Sequence, residues 1–269
     1  MGGTWSELFQ SQAWINRNQI LAVIAWYLLI SLFGIIVYPS VRLIFASLPD
    51  AGFPFIRSVG LLVVSYLVWL GGSMRIPFTR TTISLVIVLL VFINGYLAYH
   101  HRQAIKQEWK NKQRLFLVVE GLFLLLFILD LCIRYGNPDL WHPWKGGEKP
   151  MDFAYFNAVL KSTTFPPYDP WYAGGYLNYY YYGFVLMGIP VKWLGINPSV
   201  AYNLIIPTVF ALIGTAAFSL GWNLMGGSSP NKHPVKTGVQ YLSGGAGLIC
   251  MALLGNLGTV RMIFRGLQQ

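Results

Sequence analysis

The chain has 269 residues, 55% of them hydrophobic and only 10% charged, with a mean hydropathy of +0.52; a soluble domain carries nearer ~25% charged residues. This composition describes a membrane protein and excludes a soluble enzyme, a DNA-binding domain and a secreted disulfide scaffold. The net charge of +10, from 19 Lys/Arg against 9 Asp/Glu, is explained by basic segments between apolar spans, so no nucleic-acid partner is expected.

A bilayer-crossing helix needs ~20 mostly apolar residues. About seven stretches qualify, near 20–38, 58–74, 81–99, 115–134, 179–195, 200–222 and 241–258. The predicted fold is therefore an all-α polytopic membrane protein with membrane lipids as its surroundings. Residues 1–19 are polar and no small-residue cleavage site follows the first apolar run, so no cleavable signal peptide is expected. The first three spans hold no acidic residue and read as scaffold. Their aromatic residues, among them Trp14, Trp26, Tyr38, Tyr66, Trp69 and Tyr99, lie mainly near span ends as headgroup anchors. Between the first two spans, residues 48–54 are rich in Pro, Asp and Gly and form a turn.

The block from His100 to Arg114 carries Arg102, Lys106, Lys110, Lys112 and Arg114 against Glu108 alone. By the positive-inside rule this loop, 100–114, is cytoplasmic in a plasma-membrane protein, which puts the N-terminus and the loop 135–178 outside and Arg261 and Arg265 inside. The full count is close, ten basic residues inside against nine outside. Span 4 then buries Glu120 and Asp130, and intramembrane carboxylates are costly. Asp130 and Arg134, one turn apart, form an ion pair in the simplest reading. Glu120 has no partner in its own helix; a neighbouring span neutralises it, or it stays protonated, or it serves a proton path. Cys132 and Cys250 sit inside apolar runs and suggest neither a metal site nor a bridge.

Five of the nine acidic residues fall within 130–169. Pro150 suits the first position of a helix, with Asp152 in its first turn and Phe153, Phe156, Val159 and Leu160 in one apolar stripe. These features predict a short amphipathic helix on the outer leaflet, ending near Ser162. His142, beside Trp141 and Trp144, is a lone histidine, so no metal is assigned. Pro166, Pro167, Pro170, Gly174 and Gly175 fix an extended path around Asp169 and Trp171. After Asn178, the run Tyr179, Tyr180, Tyr181 and Tyr182 would wind right round a helix, so some of these rings must point into the protein. They form either a dense aromatic belt or a platform for a sugar or phosphate. The last two spans carry Asn203, Pro207, a predicted kink, and Gly244-Gly245-Ala246-Gly247, which favour close helix packing. The polar loop 226–240 carries no recognisable chemistry.

The motifs Glu148-Lys149-Pro150-Met151-Asp152, Phe165-Pro166-Pro167-Tyr168-Asp169-Pro170-Trp171, Gly174-Gly175 and the tyrosine run, with Glu120, Asn137-Pro138-Asp139, Asn203, Pro207 and Gly255-Asn256-Leu257, resemble the "YYY" family of multi-pass bacterial and archaeal membrane proteins. The resemblance implies a fold rather than a reaction. Members are longer, which makes this chain either a short member or an N-terminal piece. In arrangement, the loop is also similar to GT-C-type glycosyltransferases that use polyprenyl-phosphate sugars: an acidic residue, an interfacial helix, a Pro-rich segment and re-entry into the membrane. That likeness implies three parts, an N-terminal scaffold (1–114), a GT-C-like module (115–222) and a polar loop with span 7 (223–269).

It also implies a chemistry. Asp152 becomes the general base for an acceptor hydroxyl, and Glu148 becomes its partner or a ligand to a divalent cation. Lys149 or Arg134 lies near the donor phosphate, and Asp169, Trp171, Asn178 and Tyr179–Tyr182 contact substrate. Two other functions compete: a non-catalytic scaffold recognising a glycan or lipid, and a polar-lipid transporter using Glu120 and Asp130.

Overall fold

The computed structural model describes residues 5–140, 148–226 and 236–252, with 254, 258, 261, 264 and 265. All regular structure among these residues is helical. Two short turns, α1 (Trp5–Leu8) and α2 (Trp14–Arg17), precede α3 (Gln19–Ile44). Asn18 sets the start of α3, its Oδ1 accepting from the free backbone N–H groups of Ile20 and Leu21. A turn at Phe53–Phe55 leads into α4 (Ile56–Ser73), followed by α5 (Arg80–His100), α6 (Arg102–Gly136), α7 (Lys149–Lys161), α8 (Tyr182–Leu194), α9 (Pro198–Gly226) and α10 (Thr237–Ala252). Among the described residues, five helices are long and apolar enough to cross a membrane: α3, α4 with its preceding turn, α5, α6 and α9. The chain is an all-α polytopic membrane protein.

Close approach of backbones builds the bundle. Gly60 of α4 lies against the Phe33 carbonyl of α3, leaving no room for a Cβ. Trp26 of α3 donates from Nε1 to Thr208 Oγ1 of α9 at 2.8 Å, which satisfies a polar group in the core. On α9 and α10, Gly221 meets Ser243 while Gly247 meets Ala217, a register that runs the two helices antiparallel. Asp50 is fully buried between the α3–α4 turn and α9, accepting from Gly52 N at 2.9 Å, Asn223 Nδ2 at 2.7 Å and Ser219 Oγ. The turn expected over 48–54 is thus an ordered plug.

The segment 100–114 is helical rather than a loop. It forms the first turns of the 35-residue α6, which at ~1.5 Å per residue is far longer than the ~30 Å hydrocarbon core. Glu108 joins Arg42 and Lys112 there, so one acid holds two cations of the basic side.

The fifth apolar stretch differs most from expectation. Tyr179–Tyr181 are not helical, and α8 has only 13 residues, about 20 Å. Its end lies where α3 and α5 begin: Asn16 Nδ2 donates to Gly195 O at 2.9 Å, and Arg80 Nε to Lys192 O at 2.9 Å. Its beginning meets the end of α4, where Trp69 Nε1 donates to Tyr181 Oη at 3.0 Å. Both ends of α8 therefore stay on the side opposite the basic segment, here the loop side. As a result α9 runs from the loop side, near Pro138, to the basic side, near Asp50. The connection after Gly226 opens on the basic side and α10 returns toward the loop side, the reverse of the sequence expectation for these last spans.

The helix expected from Pro150 forms as α7, but its apolar stripe does not rest on lipid. Phe156, Val159 and Leu160 are buried, packed on Gly188 of α8, with Phe156 also meeting Tyr202 of α9. Burial of each such side chain is worth ~1.5–3 kcal/mol, so α7 is fixed to the bundle as part of the loop-side layer. Lys192, fully buried, adds a tie by donating to Ser162 O at 3.0 Å while lying 3.9 Å from the Phe78 ring centre.

Candidate functional site

Glu148 stands at the residue before α7, with no side-chain capping bond, and Asp152 lies in the first turn, so one helical turn brings the two carboxyl groups to the same face. That face opens into a cavity of about 460 Å³ whose far walls are Phe184 and Met187 of α8 and Tyr202, Ile205 and Val209 of α9. Tyr180 closes the side. Its backbone has φ +21°, a region non-glycine residues seldom occupy, and its ring centre lies 3.9 Å from that of Tyr179, with the two planes tilted by 56°. Burial raises the Asp152 carboxyl above its ordinary range, and the neighbouring Glu148 charge adds to the rise.

Tyr180 also borders a second cavity, of about 730 Å³, between α4 and the tyrosine run. Leu62, Val63, Tyr66, Leu67 and Trp69 line it on α4, with Asn178, Tyr181 and Tyr182 opposite. A small acidic chamber and a larger apolar chamber thus share one tyrosine at the start of α8. The pair suits a molecule with a polar head and a long apolar tail. No cationic side chain lines the acidic chamber among the described residues. No three His, Cys, Asp or Glu side chains gather among them either, so two carboxylates alone would face a divalent cation.

A model of the uncharacterised membrane protein family DUF2298 matches residues 63–269. The chain belongs to this family. Searches of curated proteins and of solved structures find no match. The DUF2298 match starts within α4 and takes in the acidic chamber, all of the apolar chamber's lining except Leu62, all of α7 and α8, and the tyrosine run. It supports a multi-pass membrane protein.

The residues singled out in this DUF2298 chain do not all converge. Glu148, Asp152 and Tyr180 meet in the acidic chamber, and Asn178, Tyr181 and Tyr182 line the apolar one. Tyr179 is exposed beside Tyr180. Lys149 turns away, its Nζ donating to Asp139 O at 3.4 Å. Asp169 accepts from Trp171 N at 2.8 Å in a tight turn and borders a separate cleft with Lys161; Trp171 is exposed. Arg134 binds Asn203 in another cavity, between α3, α6 and α9.

Among the described residues no Asp130–Arg134 ion pair forms, because the guanidinium reaches α9 instead and leaves Asp130 Oδ2 buried without a hydrogen bond. Glu120 takes the first of its expected alternatives. It pairs with Arg57 of α4, one contact at 3.1 Å, and that guanidinium also lies 4.1 Å from the Phe123 ring centre. His142 and Gly255-Asn256-Leu257 lie outside the described residues.

Sequence reasoning missed Tyr202 and the α4 wall. Tyr66 and Trp69 read as anchors because aromatic residues near a span end usually are. The short, tyrosine-led stretch before α8 was the available signal that a hollow lies beside them.

Proposed function

We propose that this chain is a GT-C-like glycosyltransferase that takes a sugar from a polyprenyl-phosphate donor at the loop side, and that this is the extracytoplasmic side of the plasma membrane, a reading supported by the basic segment 100–114 on the opposite side. The observation that carries the reading is the pairing of chambers across Tyr180: two carboxyl groups on one side, an apolar hollow large enough for isoprene units on the other. In this scheme the tail lies along Leu62, Tyr66 and Trp69, and the sugar sits between Tyr180 and Tyr202. Asp152 accepts the proton of the acceptor hydroxyl as that oxygen bonds to the anomeric carbon, while the carbon–oxygen bond to phosphate breaks with its electron pair leaving on the phosphate. Burial, with the Glu148 charge adding to it, holds the Asp152 carboxyl in its raised range. Lys149, next to Glu148, meets the departing phosphate once it leaves the Asp139 carbonyl.

A second reading, recognition of a lipid-linked glycan without turnover, draws on the absence of a cation lining the acidic chamber among the described residues. A transporter draws less support, since Glu120 is already engaged by Arg57. Incubating the purified chain in mild detergent with labelled polyprenyl-phosphate sugars separates these. Sugar release supports the transferase, retention of intact donor supports recognition, and failure to bind any such lipid removes both.

A further inference from the structure

On the other face of α9 from the acidic chamber lies a cavity of about 380 Å³ bounded by α3, α6 and α9. Each helix lines it with residues in a loop-side turn and with others a turn deeper, among them Ile20 and Val23, Arg134 and Leu131, Val200 and Leu204. The five deeper or flanking residues are aliphatic, and the loop-side end holds Arg134. That arginine is only 9% exposed. Its Nε donates to Asn203 Oδ1 at 2.9 Å and an Nη donates to the same oxygen. Asn203 is neutral and itself held, donating to Pro138 O at 3.2 Å and Ser199 O at 3.1 Å.

The ion pairs among the described residues are Arg42–Glu108, Arg57–Glu120 and Lys112–Glu108, so Arg134 is a buried cation in none of them. Asp130, one turn deeper on α6, is near enough for its charge to be felt by Arg134 but makes no contact ion pair with it. Taking a cation out of water is costly unless close ion pairing and hydrogen bonds compensate it, and a guanidinium keeps unused donors after two bonds to one oxygen. The first turn of α9, with Ser199 and Val200 on the same rim, adds the positive end of a long helix dipole, although Pro198 carries no N–H and Ser199 N already donates to Asn197 Oδ1.

We propose that this cavity binds a membrane phospholipid of net negative charge, its phosphate on Arg134 and the α9 start, its acyl chain along Val23, Leu131 and Leu204. Phosphate matches the guanidinium fork and the helix end. The depth order of the lining favours a lipid over a free phosphate: the cation is at headgroup level and the aliphatic wall runs into the bilayer beside Ile20, which is 71% exposed on α3. The site is independent of the proposed transfer reaction and is read without it.

The test is native mass spectrometry of the full chain in detergent with dioleoylphosphatidylglycerol, dioleoylphosphatidylcholine or glycerol phosphate as probe. Phosphatidylglycerol should be retained about ten-fold better than phosphatidylcholine, with a loss of about ten-fold or more in Arg134→Gln, as for a charge-assisted hydrogen bond. Leu131→Trp keeps the arginine but fills the apolar part, and should lose the lipid as well; it decides the matter alone if Arg134→Gln does not fold. Equal retention of phosphatidylglycerol by either folded variant overturns the proposal. Displacement of the lipid by millimolar glycerol phosphate overturns it too, by showing a site for a soluble anion.

Discussion

At the scale of single residues, the charges of this chain divide between holding the bundle and facing its cavities. Arg57 and Glu120 hold it. Glu120→Gln leaves a buried guanidinium without its counter-charge and should cost about 2–3 kcal/mol in thermal unfolding, whereas Arg57→Met with Glu120→Met should recover most of the loss. A Glu120→Gln protein as stable as wild type would return that carboxylate to the transport reading. Asp152 and Glu148 face a cavity. Because burial and then Glu148 raise the Asp152 carboxyl, its base form appears only at higher pH than an ordinary carboxylate's, and the folded chain holds that proton more tightly than the unfolded one. The contribution of Asp152 to stability is therefore full below the ordinary carboxylate range and lost as pH rises through the raised value. For sugar release, Glu148→Gln should move the acid limb of the pH profile downward, and an unmoved limb would show that Glu148 does not act on Asp152. The two acids were legible in the sequence because Pro150 fixes the helix start and four residues make one turn. The partner of Glu120 was not, since Arg57 lies 63 positions away on another helix and hydrophobic periodicity carries no cross-helix pairing.

At the scale of elements, glycines decide which helices touch. Gly60 presses on the Phe33 backbone and has no room for a Cβ, while Gly95 of α5 has nothing within 4 Å. Gly60→Val should therefore force α3 and α4 apart and cost about 2 kcal/mol or more, as overpacking does, while Gly95→Ala should be neutral or stabilise by up to ~1 kcal/mol through helix propensity. Thermal unfolding of both variants in one detergent checks the pair, and equal effects would contradict the packing. The existence of α7 and its stripe was readable from Pro150 and the spacing of Phe156, Val159 and Leu160. Its docking on Gly188 and Tyr202 was not, because a stripe facing lipid and one facing protein have the same period. Likewise the apolar run 179–195 has the composition of a span, yet the turn at Tyr180 shortens the helix to 13 residues.

For the whole molecule, that short helix decides the topology. With Cys132 and Cys250 replaced, single cysteines at Arg75 and Asn197 should be labelled by an impermeant reagent from the same face of the membrane, and one at Lys236 from the opposite face. Labelling of Arg75→Cys and Asn197→Cys from opposite faces would restore a crossing α8. The same arrangement places the acidic chamber, the apolar chamber and the Arg134 cavity in one loop-side layer, around the starts of α8 and α9. The measurement that bears most directly on what this layer does compares wild type with Asp152→Asn for release of sugar from a labelled polyprenyl-phosphate donor, with donor binding measured alongside. The expected result is unchanged binding and a fall in release of ~100-fold or more, the scale of a lost general base. Wild-type rates of release from a folded Asp152→Asn protein would contradict it.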